Sequence, residues 1–292
     1  MSKFFFFLKL IRVKNLILLA LTQILVYFFI LKEDIVTDFI LLLLITFFIT
    51  ASGYIINNIF DIESDKINKR NLIIGHYIPS RNAIFWYYLF TAISIILIIY
   101  LLYLNSNLYP SFIFLSSIYL LWWYSKRYKH IFIIGNFIVS LLTSLCLFNV
   151  FLISKNSSLS FFLIIFSILS FLITFSREII KDLEDLEGDR IMNSQNIAST
   201  LNIIQSKQIV IGILILILFV IFIGCYYFLS HITNLQLILM LVYLSFFLII
   251  LVFAVFKIMK SKEKKDYNYI SSLLKILMFL GVIAIPIIYY IK

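Results

Sequence analysis

Apolar runs separated by short charged breaks recur along the whole chain, and their length sets the first question: which of them cross a bilayer. A membrane-spanning helix needs about 20 mostly apolar residues. On that measure the pattern predicts nine spans, near residues 15–31, 37–56, 83–104, 110–123, 131–153, 159–176, 208–229, 235–256 and 271–291. The fourth is short, bounded by Pro110 and by Trp122, Trp123 and Tyr124, an aromatic group that suits a membrane interface. A β-barrel would need alternation over strands of about 10 residues, and none is present. The segment "FFFFLKLIRVKN" has no small-residue cleavage pattern, so the first run reads as a retained helix instead of a signal peptide.

Composition agrees with the pattern. Hydrophobic residues make up 63% of the 292 and charged residues 13%, against about 25% charged in soluble domains. The expected fold is therefore an all-α integral membrane protein with about nine transmembrane helices, a single domain over 1–292. The net charge of +10 would suit a nucleic-acid partner in a soluble protein, but here loop topology accounts for it. The segments before span one and after spans two, four, six and eight hold 20 of the 24 basic residues. Positive charge marks the cytoplasmic side, so the N-terminus is expected in the cytoplasm and the C-terminus outside. Lys275, one turn into the last span, is read as snorkelling to the interface. Cys146 and Cys225 lie in apolar runs and read as packing residues, while His76, His130 and His231 lack metal-ligand spacing.

Acidic residues are distributed differently. Asp61, Glu63 and Asp65 form one cluster, and a second of six runs from Glu178 to Asp189; together they hold 9 of the 14 acids. One follows span two and the other span six, both on the predicted cytoplasmic side, which hints at two four-helix halves plus a ninth helix. If each segment stays helical, spacings of three and four place Asn57, Asp61 and Asp65 on one stripe and Asp182, Asp185 and Asp189 on another. Carboxylates about 6 Å apart repel by roughly 3 kcal/mol at an effective dielectric of about 20. Hard divalent cations relieve that repulsion, and Mg²⁺ commonly bridges carboxylates to substrate phosphates. The spacing thus points to a Mg²⁺–diphosphate site, with solvated mixed-charge loops as the plainer alternative. No Walker-type loop, Rossmann fingerprint, H-E-x-x-H or nucleophile elbow competes with it.

These residues resemble the UbiA superfamily of intramembrane prenyltransferases. Asn57, Asp61 and Asp65 followed by "KINK" are similar to its first acidic motif, and "REIIKDLEDLEGDR" (177–190) to its second, with Asp185 and Asp189 as the paired acids. "LIRVKN", with Arg12 and Asn15, and "YSKRYKHIFIIGN", with Tyr124, Lys129, Gly135 and Asn136, extend the match over most of the chain. The second motif looks closest to the digeranylgeranylglyceryl phosphate synthase-like branch, whose fuller pattern includes Lys181 and Asp182. Two departures stand out: Arg70 replaces the usual proline, and Asn193 stands where glycine is expected.

The resemblance implies Mg²⁺-dependent transfer of a polyprenyl group from its diphosphate to a membrane-associated acceptor. Asn57, Asp61, Asp65, Asp185 and Asp189 would hold the metal, the four aspartates being the catalytic acids. Arg12, Lys69 and Lys129 would neutralise phosphate oxygens, and Asn15, Lys181 and Asp182 would complete the substrate contacts. A prenylglyceryl phosphate is the favoured acceptor, with an aromatic quinone precursor as the alternative. Two other classes were weighed. An ion-coupled transporter would place its acids at mid-membrane on helices broken by Gly or Pro, and a degenerate non-catalytic relative would have lost motif acids.

Overall fold

The computed structural model describes residues 3–31, 37–68, 72–104, 107–153, 160–229 and 234–291. Its helices follow the apolar runs and then outlast them. The chain opens with α1 (Lys3–Leu10) and α2 (Val13–Leu25), which continues as a π-helical turn over Val26–Leu31. Next come α3 (Thr37–Phe60), the six-residue α4 (Ile62–Ile67), α5 (Ser80–Leu104) and α6 (Tyr109–Lys126). The second half holds α7 (Ile134–Ile153), α8 (Ser160–Glu184), the six-residue α9 (Leu186–Ile191) and the single-turn α10 (Ile197–Thr200). Three long helices close it: α11 (Ile203–Leu229), α12 (Asn234–Lys260) and α13 (Lys264–Ile291). No sheet forms among the described residues, as a bilayer requires of a chain that is not a closed barrel.

Eight of these helices are long and apolar enough to cross a membrane. The helix at the predicted fourth span, α6, does not reach that apolarity, because Ser111, Ser116, Ser117 and the Trp122–Lys126 end dilute its 18 residues. The protein is thus an all-helical integral membrane protein. The predicted sixth span stops at Phe175–Ser176, whereas α8 runs on to Glu184. Its extra turns survive because their charges satisfy each other: Glu178 accepts from Lys181 at 2.5 Å and from Arg177 at 3.2 Å.

Burial separates helix roles. The membrane windows of α3 and α8 are 61% and 50% buried, those of α5, α11 and α12 only 22%, so the two motif-bearing helices are central and the others face lipid. Around α3 pack α2, α5 and α6; around α8 pack α7, α11 and α13. Two apolar clusters centre on the first half, and a third joins α8 with α11, α12 and α13. The expected two-half repeat is visible in this arrangement, with one difference: α13, not α12, takes the fourth place against α8.

The segments after α3, α6, α8 and α12 all meet at one end of the bundle. The Gln195 amide donates to the His130 carbonyl at 3.0 Å, and Lys264 Nζ to the Asn68 carbonyl at 3.2 Å. Phe6 of α1 stacks on Tyr77, with ring centroids 3.6 Å apart. The basic loops and both acidic motifs therefore share a face.

Candidate functional site

Both acidic motifs sit at a helix break of the same form. At the end of α3 the chain pauses at Asp61, which starts α4; at the end of α8 it pauses at Asp185, which starts α9. Backbone bonds continue across each break: Asp61 N–H to the Asn57 carbonyl at 2.9 Å, then Asp65 to Asp61 at 2.8 Å. The second motif repeats them, Asp185 to Lys181 at 2.9 Å and Asp189 to Asp185 at 3.0 Å. The predicted stripes thus survive the breaks, because the i+4 register is kept. Glu63 and Glu187, off the stripes, are exposed.

Gly188 brings the two short helices together. A Cβ at that position would lie 2.4 Å from the Asn68 side-chain oxygen, so a larger residue would have to displace the Asn68 side chain for α9 to stay this close to the end of α4. The α6–α7 connection forms a third wall. Lys129 forms an ion pair with Asp61, whose other carboxylate oxygen accepts from the Asn57 amide at 2.6 Å. Gly135 packs onto the Lys129 backbone, where a Cβ would lie 2.7 Å from its Cα. Between them Ile133 has φ 63 and is spanned by a 2.7 Å bond from Ile134 N to the Phe132 carbonyl, a strained γ-turn for a β-branched residue.

Amides reach two acids of the second motif. Asn136 donates to Asp182 at 2.7 Å, and Asn196 to Asp189 at 2.6 Å. Asn196 also caps α10 by accepting from Ser199 N–H at 2.8 Å. His130 Nδ1 lies 3.1 Å from Ser194 Oγ, which ties the α6–α7 connection to the segment after α9. Burial, reinforced by Lys129 and opposed by Asp61, pushes His130 below the usual imidazole range, so this joint is neutral near pH 7. Asn193, the residue standing for the expected glycine, has φ 52, a left-handed conformation that glycine adopts freely and asparagine tolerates.

Below this mouth lies a cavity of about 360 Å³. Arg12, Asn15, Asn57 and Lys181 line its polar end, together with Tyr54, Tyr124, Arg177, Glu178 and Lys275; the rest is mostly apolar, with interspersed hydroxyls such as Thr50, Thr143 and Ser170. Arg12, in a left-handed conformation at φ 51, holds its guanidinium 5.0 Å from the centre of the Tyr54 ring. Asn15 donates to the Tyr54 hydroxyl at 3.2 Å and accepts from Lys275 at 2.6 Å. Lys275 therefore turns inward onto the cavity and does not snorkel to the interface, because Asn15 and the cavity supply the polar surroundings that the lipid side lacks.

Of the sequence-named residues, the structure brings Asn57, Asp61 and Lys129 into direct contact, and sets Arg12, Asn15 and Lys181 on the cavity. Lys69 lies outside the described residues, as does Arg70. Among the described residues the carboxylates do not gather three or more at one point. Asp61, Asp182 and Asp189 each meet an amide or ammonium. The donors still suit a hard cation: they are all oxygens, and the Asn57 side-chain oxygen is buried without a partner. Sequence reasoning missed Asn196, Ser194, Arg177 and Glu178. An Asx residue three positions before Ser199 is a legible cap signal; nothing in the spacing marks Ser194.

Known proteins share this chain's sequence pattern and fold. The UbiA prenyltransferase family profile matches residues 18–283. The digeranylgeranylglyceryl phosphate synthase of Sulfolobus acidocaldarius is 34% identical over 214 residues, covering 72% of this chain and 75% of that protein. The Methanocaldococcus jannaschii enzyme of the same name is 35% identical over 194 residues, 65% of each chain. A solved structure from work on digeranylgeranylglyceryl phosphate synthase in membranes superposes over the full length of both chains, with TM-score 0.71 at 28% identity. A UbiA homologue from Archaeoglobus fulgidus bound to DMAPP and Mg²⁺ shares the fold, with TM-score 0.66 and 17% identity over 96% of this chain and 99% of that one.

Proposed function

The chain belongs to the UbiA prenyltransferase family, and from that membership we propose that it transfers a geranylgeranyl-type group from a polyprenyl diphosphate to a prenylglyceryl phosphate. The observation that carries the reading is the pair of matching helix breaks, Asp61–Asp65 and Asp185–Asp189, closed over a cavity that is cationic at its mouth and apolar below. The glycerol-phosphate acceptor is supported by likeness to the archaeal synthases.

Asn57, Asp61, Asp65, Asp185 and Asp189 would hold Mg²⁺, which supplies charge stabilisation to the departing diphosphate. The chain's own residues do the rest. Lys129 and Lys69 bind phosphate oxygens and gain strength as negative charge collects on the leaving group. The apolar cavity holds the prenyl chain extended and keeps water from C1, where hydrolysis would compete with transfer. Tyr54 and Tyr124 line the polar end of the cavity, where an aromatic ring could stabilise the cation developing at C1. The C1–oxygen bond breaks with its electron pair leaving on diphosphate, the acceptor hydroxyl oxygen bonds to C1, and its proton passes to the departing diphosphate. The basic face that carries both motifs is assigned to the cytoplasm.

The test is purified protein with Mg²⁺ and labelled geranylgeranyl diphosphate, offered geranylgeranylglyceryl phosphate, 4-hydroxybenzoate and dihydroxynaphthoate side by side. Label in the glyceryl phosphate ether alone supports the reading. Label in an aromatic acid alone moves the chain to a quinone branch of the family, and transport without prenyl transfer removes the enzyme assignment.

A further inference from the structure

A second group of cations lies deeper than the acid motifs. Arg177 is eight residues before Asp185 along α8, and Tyr54 seven before Asp61 along α3, so this group lies about 10–12 Å below the acids at 1.5 Å rise per residue. Arg177 and Glu178 line the cavity there, Arg12 and Lys275 line it beside them, and Lys181 stands one turn nearer the acids. Glu178 is shared by Arg177 and Lys181, at 3.2 and 2.5 Å. Lys275 has the neutral Asn15 oxygen as its hydrogen-bond acceptor, and the charges that act on it are Arg177, Lys14 and Arg12. Arg177 Nε is buried with no partner. Like charges in a partly desolvated cavity are costly unless an anion joins them. A diphosphate, two phosphoryl groups long and clamped at the acid level, leaves these deeper cations unmatched.

Resting on the prenyltransferase reading above, we propose that Lys275, Arg177 and Asn15 form a second anion subsite, which binds the phosphate monoester of the acceptor. The chemistry fits the position. The acceptor hydroxyl must meet C1, which lies below the diphosphate, and in a glyceryl phosphate the phosphate is only a few bonds from that hydroxyl. An arginine edge and an ammonium from two helices suit a phosphate's several oxygens. Asn15 orients Lys275 while its own amide is fixed by Tyr54. The same subsite gives selectivity: an acceptor lacking phosphate leaves buried cations unpaired, and sites built on charge reject such analogues strongly.

The experiment compares wild type, Lys275→Gln and Lys275→Arg in defined vesicles of neutral phospholipid, using geranylgeranylglyceryl phosphate and its phosphate-free analogue geranylgeranylglycerol. Loss of one charge-assisted contact should raise KM for the phosphorylated acceptor about 10- to 100-fold. KM for the prenyl diphosphate should stay within about twofold, and Lys275→Arg should recover most of the loss. Discrimination between the two acceptors should shrink in Lys275→Gln by the same factor. An equal rise in KM for the prenyl diphosphate overturns the proposal and gives these cations to the donor. Wild type that uses both acceptors equally overturns the subsite and leaves the enzyme reading intact. Wild type that prenylates neither glycerol-based acceptor overturns the acceptor reading, and the subsite with it. Competition by phosphatidic acid vesicles that Lys275→Gln abolishes, without any acceptor preference in wild type, assigns the cations to a lipid headgroup and also overturns the proposal.

Discussion

Asp61 and Asp185 each interrupt a long central helix and each start a six-residue one, yet the side chains around them differ in kind. At the first break the partners are Asn57 and the Lys129 cation from the α6–α7 connection. At the second, Lys181 occupies the position equivalent to Asn57 and is turned to Glu178, while Asn136 and Asn196 serve Asp182 and Asp189. At the first break a cation thus sits on the Asp61 carboxylate, and at the second the amides of Asn136 and Asn196 reach Asp182 and Asp189. The lesson is that a repeated backbone does not bring repeated side-chain partners: Lys129 reaches Asp61, while Lys181, at the position equivalent to Asn57, turns to Glu178.

Removing an acid from either break tests whether both halves are needed. Asp61→Asn and Asp185→Asn should each lower transfer of labelled prenyl groups by about 10³-fold or more, as expected where charge developing in the transition state loses its stabilisation. Circular dichroism and melting temperature should be unchanged, since neither side chain is in an apolar cluster. Should one variant keep near wild-type turnover, the clamp is one-sided and the comparison fails.

Lys129 separates the halves further. Lys129→Met should cut transfer about 10- to 100-fold through the lost phosphate contact. It should also tighten Mg²⁺ binding, because Asp61 no longer has an internal cation to compete with the metal. The opposite signs are the point. Isothermal titration that finds Mg²⁺ weakened in this variant would place Lys129 in support of the metal site instead.

Much of this was legible in the sequence, for identifiable reasons. Apolar runs located the long helices because lipid tolerates little else, and the i+4 spacing of Asn57, Asp61 and Asp65 survived even a helix break. Charge was the weaker guide. The pattern ends the sixth span before Arg177, yet α8 continues because Glu178 accepts from both Arg177 and Lys181 on the cavity side. Lys275 was read as snorkelling, since no pattern along one helix reveals Asn15 on another, 260 residues away. Asn193 looked like a departure from the expected glycine, and its φ of 52 shows that it meets the same backbone demand. Such facts lie in the third dimension, where spacing has nothing to say.

Gly188 is the joint between the halves, and Gly188→Ala should press the two short helices apart. The added Cβ meets the Asn68 side chain at 2.4 Å, so an overpacking cost of about 1–3 kcal/mol is expected, with lower melting temperature and several-fold slower transfer. Asn68→Ala added to Gly188→Ala should return much of both, since the clash is with a side chain. Equal loss in the single and double variants would mean that the helices do not close on each other during turnover.

Glu63 and Glu187 give the smallest effect and the cleanest control. Each lies two residues after the break acid of its motif, each is exposed, and each carries the same charge as the aspartates flanking it. If net negative charge near the mouth were enough to attract the cation, Glu63→Gln and Glu187→Gln would weaken Mg²⁺ dependence in proportion to the charge removed. Exposed charges are screened beyond about 8 Å at physiological salt, so the long-range share is small. The expectation is turnover within about twofold of wild type and an unshifted Mg²⁺ titration, measured beside Asp61→Asn, since exposed charges contribute at most about 1 kcal/mol. A matched loss in the glutamate and aspartate variants would mean that charge density, not the stripe, defines the site, and the two halves would then differ only in how many acids they bring.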